Sequence, residues 1–192
     1  VDSINLHFAG PFSLSSGPGS VFECEFADQP GIYLWTIRQS VDDSHLIHYV
    51  GQTSSLANRQ KDHLVSALGL LYGIADADLA RVGRLEFVWP GLWRDKSKQG
   101  PSRLVEAYQT HHDAILNLIG AIDIFFAELH GDQRVRTKVE GRIGWNLRTN
   151  HPDAAVLYPT DNRIIGKTPS GEGAIRITAD AVIRGLSAVV PL

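Results

Sequence analysis

The sequence predicts a single α+β domain, and three observations carry that prediction. Two apolar runs, PGIYLWTI and HLIHYVGQT, flank the polar segment RQSVDDS and read as a β-hairpin. Segments near 54–72, 102–118 and 132–148 place apolar residues at helical spacing. Strands and helices then alternate along a chain of 192 residues, the length of one domain.

The elements follow in order. Residues 4–12 and 21–26 (INLHFAGPF and VFECEF) read as two strands around the loop SLSSGPGS, an N-terminal β extension over 1–28. The hairpin comes next. Ser54 or Ser55 caps a helix reaching about Tyr72, with Leu56, Leu64, Leu68 and Leu71 on one face. DADLARVG reads as a short helical turn, and RLEFVWPGLW as a strand ended by its proline. A polar, basic loop carries Arg94, Lys96, Lys98 and Arg103, a candidate contact for a nucleic-acid backbone. The helix over 102–118 has Leu104, Val105, Tyr108, Ile115 and Leu118 as its apolar stripe, and AIDIFFAEL is the most strand-like stretch of the second half. A helix over 132–148 spaces Val135, Val139, Ile143 and Leu147 four apart. The tail suggests short strands and a final helical turn. The chain therefore divides into the extension 1–28, a core over 29–150 with an insertion near 92–120, and a C-terminal extension over 151–192.

Composition bounds the function. With 43% hydrophobic and 20% charged residues, the chain is that of an ordinary globular protein. No apolar run is long enough to span a bilayer, so no membrane partner is expected. The N-terminal residues VDSINLHFAG lack the pattern of a secretory signal. One cysteine, Cys24, excludes an internal disulfide and a cysteine-rich zinc site, and points to a reducing cytoplasm. A net charge of −3 does not advertise a nucleic-acid binder, although charge placement matters more than the total. No P-loop, dinucleotide fingerprint or H-E-x-x-H motif is present.

The chemistry-bearing residues cluster around the hairpin. Pairing the two runs brings Tyr33 and Tyr49 together on a sheet face, where they are paired site phenols or plain core aromatics with hydroxyls at the rim. Arg59 and His63 lie four apart on the following helix and share a face. A guanidinium there holds a phosphate in bidentate fashion, and an imidazole relays a proton near neutral pH. Glu140 is the acid of an otherwise basic helix that carries Arg134, Arg136, Lys138, Arg142 and Arg148. It either pairs with Arg136 or serves as a carboxylate ligand to a hard divalent cation on a basic, DNA-facing surface. Glu106 is the rival. Adjacent His111 and His112 point about 100° apart and do not chelate one metal.

Taken together, PGIY, HYVGQT, ANRQKDHL and VEGRIG resemble the GIY-YIG nuclease superfamily, over residues of roughly 30–64 and 134–150. The step from Arg59 to His63 is similar to a subgroup that includes some restriction enzymes. The resemblance implies a small three-stranded antiparallel sheet flanked by helices, with the N-terminal β extension and an extra helix. It implies a metal-dependent endonuclease that hydrolyses DNA phosphodiesters with one Mg²⁺ or Mn²⁺. By motif position, Tyr33 is the general base or its partner, and Tyr49 orients the water or the phosphate. Arg59 stabilises developing charge, His63 assists proton transfer and Glu140 ligates the metal. Gln52, Arg136, Lys138 and Arg142 are the expected nucleic-acid contacts. A tyrosine is a poor base at its ordinary pKa of about 10, so a nearby cation must lower it. The sequence departs from the family in three places. Fifteen residues separate the triplets, Gln52 stands where several relatives have lysine, and the family's late asparagine has no clear counterpart, Asn150 lying nearest the usual distance, Asn162 in the more loop-like YPTDNR and Asn146 also following Glu140. The alternative is a module on the same fold that binds nucleic acid or protein without chemistry.

Overall fold

The computed structural model describes residues 3–92, 101–159 (backbone alone for 101–103) and 173–192. Arg94, Lys96, Lys98, Asn162 and the side chain of Arg103 lie outside the described residues.

Strands β1 (Ile4–Ser13), β2 (Gly31–Arg38) and β3 (His45–Thr53) come first, followed by helix α1 (Leu56–Leu68). A two-stranded ribbon, β4 (Ile74–Ala75) and β5 (Phe87–Trp89), encloses the short helix α2 (Ala77–Ala80). Helix α3 (Pro101–Ala121) leads directly into β6 (Ile122–Glu128), and α4 (Gln133–Asn150) follows. A 3₁₀ turn at Ala155–Leu157 and strands β7 (Ala174–Ala179), β8 (Ile183–Arg184) and β9 (Val189–Pro191) complete the order.

The main sheet overturns the expected three-stranded antiparallel one. It has seven strands in the order β8-β3-β2-β6-β1-β7-β9, and it is mixed, since β1 pairs with β7 and β3 with β8 in parallel. The reason lies in β6. Its Ile122, Ile124, Phe125, Phe126 and Ala127 are all buried, so both of its faces are covered. Such a strand belongs inside a sheet and not at its edge. It pairs with β2 on one side and with β1 on the other. The N-terminal strand is therefore integral to the sheet, and Leu6 and Phe8 bury its inner face.

Two smaller expectations also change. Residues 21–26 form no strand; they close successive local turns, Glu23 N–H to Ser20, Ala27 N–H to Cys24 and Gln29 N–H to Phe26. Short-range bonds satisfy a backbone that has no neighbouring strand to pair with. Among its described residues the tail ends in no helical turn; Ile183–Arg184 lies along β3 as a strand.

The hairpin is formed as expected. Tyr33 faces Gly51 and Trp35 faces Tyr49 across β2 and β3. The next pair is Thr36 with Ile47, so His48 is an extra residue, a bulge beside Tyr49. Both motif glycines are required by close approach. A Cβ on Gly51 would lie 2.3 Å from the Tyr33 hydroxyl and ring, and one on Gly31 would lie 2.2 Å from the Ala127 carbonyl. Gly51 is thus the floor on which the Tyr33 ring rests. Helix α1 begins directly beyond β3, and α4 packs on β3 and β2, so both deliver side chains to the same end of the hairpin.

Among the described residues, no helix is long and apolar enough to cross a membrane.

Candidate active site

Tyr33 stands at the centre of the site. It is fully buried on β2, and its hydroxyl lies 2.6 Å from His63 Nε2. Arg59 Nε–H donates to the same oxygen at 3.2 Å. The guanidinium can only donate, so the phenolic proton is directed to the imidazole. His63 Nδ1 then carries the ring proton toward the Tyr72 hydroxyl, 3.1 Å away. The result is a linear relay, Arg59–Tyr33–His63–Tyr72.

The helix geometry explains why two of these groups meet the sheet. Arg59 and His63 are one turn apart on α1, on the side that also buries Leu56 and Gln60 against the hairpin. Gln60 accepts from Trp35 Nε1–H at 2.8 Å, which pins the indole. That indole sits 4.8 Å from the His63 ring, with Tyr49 at 5.5 Å and both Tyr33 and Tyr72 at 5.7 Å, centroid to centroid. His63 is thus enclosed by four aromatic rings.

This enclosure sets the charges. Burial, and then the Arg59 guanidinium, push the His63 pKa down to about 3, so the imidazole is neutral at physiological pH. Burial raises Tyr33 well above the ordinary phenol range; Tyr49 and Glu140 add to that, while Arg59 opposes it. Tyr49 is raised by burial and by Glu140, with Arg59 again opposing. Arg59 itself loses by burial but gains more from the two phenols, and ends raised.

Glu140 joins the cluster from α4. Its carboxyl is raised to about 7, first by burial, with Arg59 pulling the other way. Its charge is felt by both phenols and by Arg59, so it belongs to their electrostatic neighbourhood. Glu106, by contrast, lies exposed on α3. Between the two glutamates, Glu140 is the one whose charge the tyrosines feel.

The site has two sides. Behind Tyr49 and His63 is an apolar cavity of about 290 Å³, walled by Trp35, Tyr72, Phe87 and Ile115 among others. In front is an open polar cavity of about 310 Å³ lined by Gln52, Thr53, Ser54, Arg59, Gln133 and Arg136. Arg59 connects the phenol cluster to that opening.

The basic face expected of α4 is only partly realised. Lys138 is exposed, but Arg136 and Arg142 are buried, at 7% and 5% exposure. Arg136 Nε–H reaches Gln52 Oε1 on β3 at a long 3.4 Å. Arg142 therefore lies away from any open basic surface. Asn146 is also buried; its Oδ1 accepts from Ser187, whose hydroxyl lies 2.7 Å from His151 Nε2, so it ties the tail to α4. Asn150 is exposed at the end of α4.

Sequence reasoning missed Trp35 and Tyr72. Tyr72 reaches His63 because the chain reverses after α1 through Leu70, whose φ is +58°. Leucine rarely adopts that conformation, so no residue type signals the reversal.

One carboxyl, Glu140, lies in the electrostatic neighbourhood of the two phenols and Arg59. Mg²⁺ is often held through one carboxylate, with water and phosphate oxygens completing its shell. Glu140 supplies that carboxylate, and its raised pKa marks a charge for which Arg59 alone compensates incompletely. Among the described residues there is no group of three or more His, Cys, Asp or Glu that could hold a metal without such help.

Comparison of the chain with protein-family models, with curated proteins and with solved structures finds no match in any of the three.

Proposed function

We propose that this protein is a metal-dependent endonuclease that hydrolyses DNA phosphodiester bonds. The observation that carries the reading is the meeting of Tyr33, Tyr49, Arg59 and His63 at one end of the hairpin, within the electrostatic reach of Glu140. The resemblance of these segments to the GIY-YIG superfamily agrees with it.

In this reading Arg59 has two tasks. Nε–H holds the Tyr33 oxygen, and the remaining N–H groups stabilise charge developing on the phosphate. Tyr33 does not need to be a phenolate at rest, which its burial disfavours. Its proton moves toward His63 Nε2 as the phenol takes a proton from the attacking water, and Arg59 balances the negative charge that builds on the oxygen. The neutral imidazole has Nε2 free to accept, but the burial and the Arg59 charge that keep it neutral also make it a weak base, so it shares the proton without holding it. Tyr49, at the less buried edge of the pair, positions the water or the phosphate. Glu140 would hold Mg²⁺ or Mn²⁺, which supplies charge neutralisation at the phosphate.

One observation favours the second reading, binding without turnover. The Tyr33 hydroxyl is already bonded on two sides and its side chain is fully buried. Incubating the protein with single-stranded, duplex and branched DNA, with Mg²⁺, Mn²⁺ or EDTA, separates the two. The nuclease reading expects cleavage with metal and none with EDTA. Intact DNA throughout, alongside tight binding, would favour the binding module.

A further inference from the structure

The polar cavity in front of the phenol cluster has a second cation in its wall. Arg136 is 93% buried by its 7% exposure, yet it lines that opening. Its Nη1–H donates to the Gly131 carbonyl at 2.7 Å, and Nε–H reaches Gln52 Oε1 at a long 3.4 Å. Both acceptors are neutral. Among the described residues, no carboxylate forms an ion pair with Arg136. A guanidinium carries five N–H donors and a permanent charge, and these two bonds leave Nη2 open to the cavity, where it is not among the buried unpartnered atoms. A cation on the wall of an open cavity, bonded there only to neutral acceptors, raises the local concentration of anions in that space.

The rest of the lining suits an anion of one kind. Thr53 and Ser54 lead into α1, whose N-cap Ser55 makes no side-chain capping bond, and Gln133 opens α4. These are donors and small hydroxyls, with no apolar wall for a flat ring. Arg59 borders both this cavity and Tyr33, so an anion here neighbours the reacting phosphate.

We propose that this cavity holds a non-scissile phosphate of the strand being cut, clamped between Arg136 and Arg59. The substrate class is then a polynucleotide with consecutive phosphodiesters, not an isolated phosphodiester. Gln52 orients the Arg136 guanidinium in the position where relatives of the resembled family have lysine. This inference rests on the nuclease reading of the Tyr33 cluster.

Binding and turnover test the two separately. A short fluorescein-labelled oligonucleotide is titrated with the whole protein in EDTA, followed by anisotropy at several salt concentrations. Arg136→Gln and Ser54→Glu are compared with wild type. Ser54 is exposed, so its variant carries the test even where Arg136→Gln fails to fold. Both substitutions are expected to weaken binding by about tenfold or more, and Arg136→Gln to lower the salt slope by about one. Affinity that ignores both substitutions, or no binding by wild type, overturns the subsite. Cleavage is scored in parallel samples with Mg²⁺. Binding that depends on Arg136 without cleavage sinks the nuclease reading and leaves only a backbone-phosphate site, with no strand being cut. Cleavage with indifferent binding does the reverse.

Discussion

The Tyr33 hydroxyl and His63 Nε2 lie 2.6 Å apart, buried between the hairpin and α1. The pair couples a strand residue to a helix residue thirty positions later, and Arg59 holds its oxygen from the third side. Replacing Tyr33 by Phe leaves the His63 nitrogen and the Arg59 Nε–H without that partner. Buried groups left unpaired cost about 1–3 kcal/mol, so urea unfolding of the variant is expected to show a loss of that order. Cleavage is expected to fall by roughly 10²–10⁴-fold, the usual worth of a positioned acid–base group. A variant as stable and active as wild type would remove Tyr33 from the site.

Glu140 links the chemistry to pH-dependent stability. Its folded pKa of about 7 exceeds the ordinary 4.5, so the native state binds the proton more tightly than the unfolded chain. Without metal, stability therefore falls as pH rises from about 4.5 to 7, and the penalty is complete above that window. Allowing for solvent screening, it is on the order of 2 kcal/mol. Glu140→Gln carries no charge, so in EDTA it is expected to be more stable than wild type at pH 8, with the gap closing toward pH 4.5. Denaturant titrations at several pH values check this; a gap that does not change with pH counts against the buried carboxyl.

His63 acts in the opposite direction. Its folded pKa of about 3 lies below the ordinary 6.5, so its contribution is present above 6.5 and is lost as pH falls toward 3. Nitrogen chemical shifts of the imidazole are expected to report a neutral ring at pH 5, protonated at Nδ1. A ring that titrates near 6.5 would show that the aromatic cage is open.

Tyr72 fixes that tautomer through its hydroxyl, 3.1 Å from His63 Nδ1. It is a positioning residue. Tyr72→Phe is expected to keep the fold and to mix the two imidazole tautomers in the nitrogen spectrum. The cleavage rate is expected to fall about tenfold, with substrate affinity unchanged. An unmixed spectrum with unchanged rate would leave Tyr72 as wall material.

Gly51 reads as a turn or motif residue in sequence, but its role is steric. The Cβ of Gly51→Ala would meet the Tyr33 ring and hydroxyl at 2.3 Å, and that ring is fully buried and cannot swing clear. Overpacking of this kind costs about 1–3 kcal/mol and is expected to displace the Tyr33 hydroxyl from His63. Near-ultraviolet circular dichroism and urea unfolding follow both effects; an unperturbed variant would contradict the close approach.

The hairpin, α1 and the meeting of Tyr33, Tyr49, Arg59 and His63 were legible because each rests on short-range pattern. A polar turn sets the hairpin register, and a four-residue step sets the helix face. The sheet was not legible. That β6 takes β1 as a second neighbour, and that β7 then adds in parallel, depends on pairings between residues more than a hundred positions apart. A continuous apolar run such as IDIFFAE shows that a strand is buried on both faces, but not which strands flank it. The choice of Glu140 over Glu106 was likewise open in sequence. It required knowing that α4 lies on β3 while Glu106 faces outward from α3. The charges of α4 misled for a related reason. Five basic residues suggest a solvated face, yet Arg136 and Arg142 are buried.

The most direct test of the central claim is the Mg²⁺-dependent nicking rate of supercoiled plasmid by the wild-type protein and by Glu140→Gln. The account expects nicking by wild type that EDTA abolishes, and a folded Glu140→Gln that nicks at no more than about one hundredth of that rate. A folded wild type that leaves the plasmid intact, or a Glu140→Gln that nicks as fast as wild type, would contradict it.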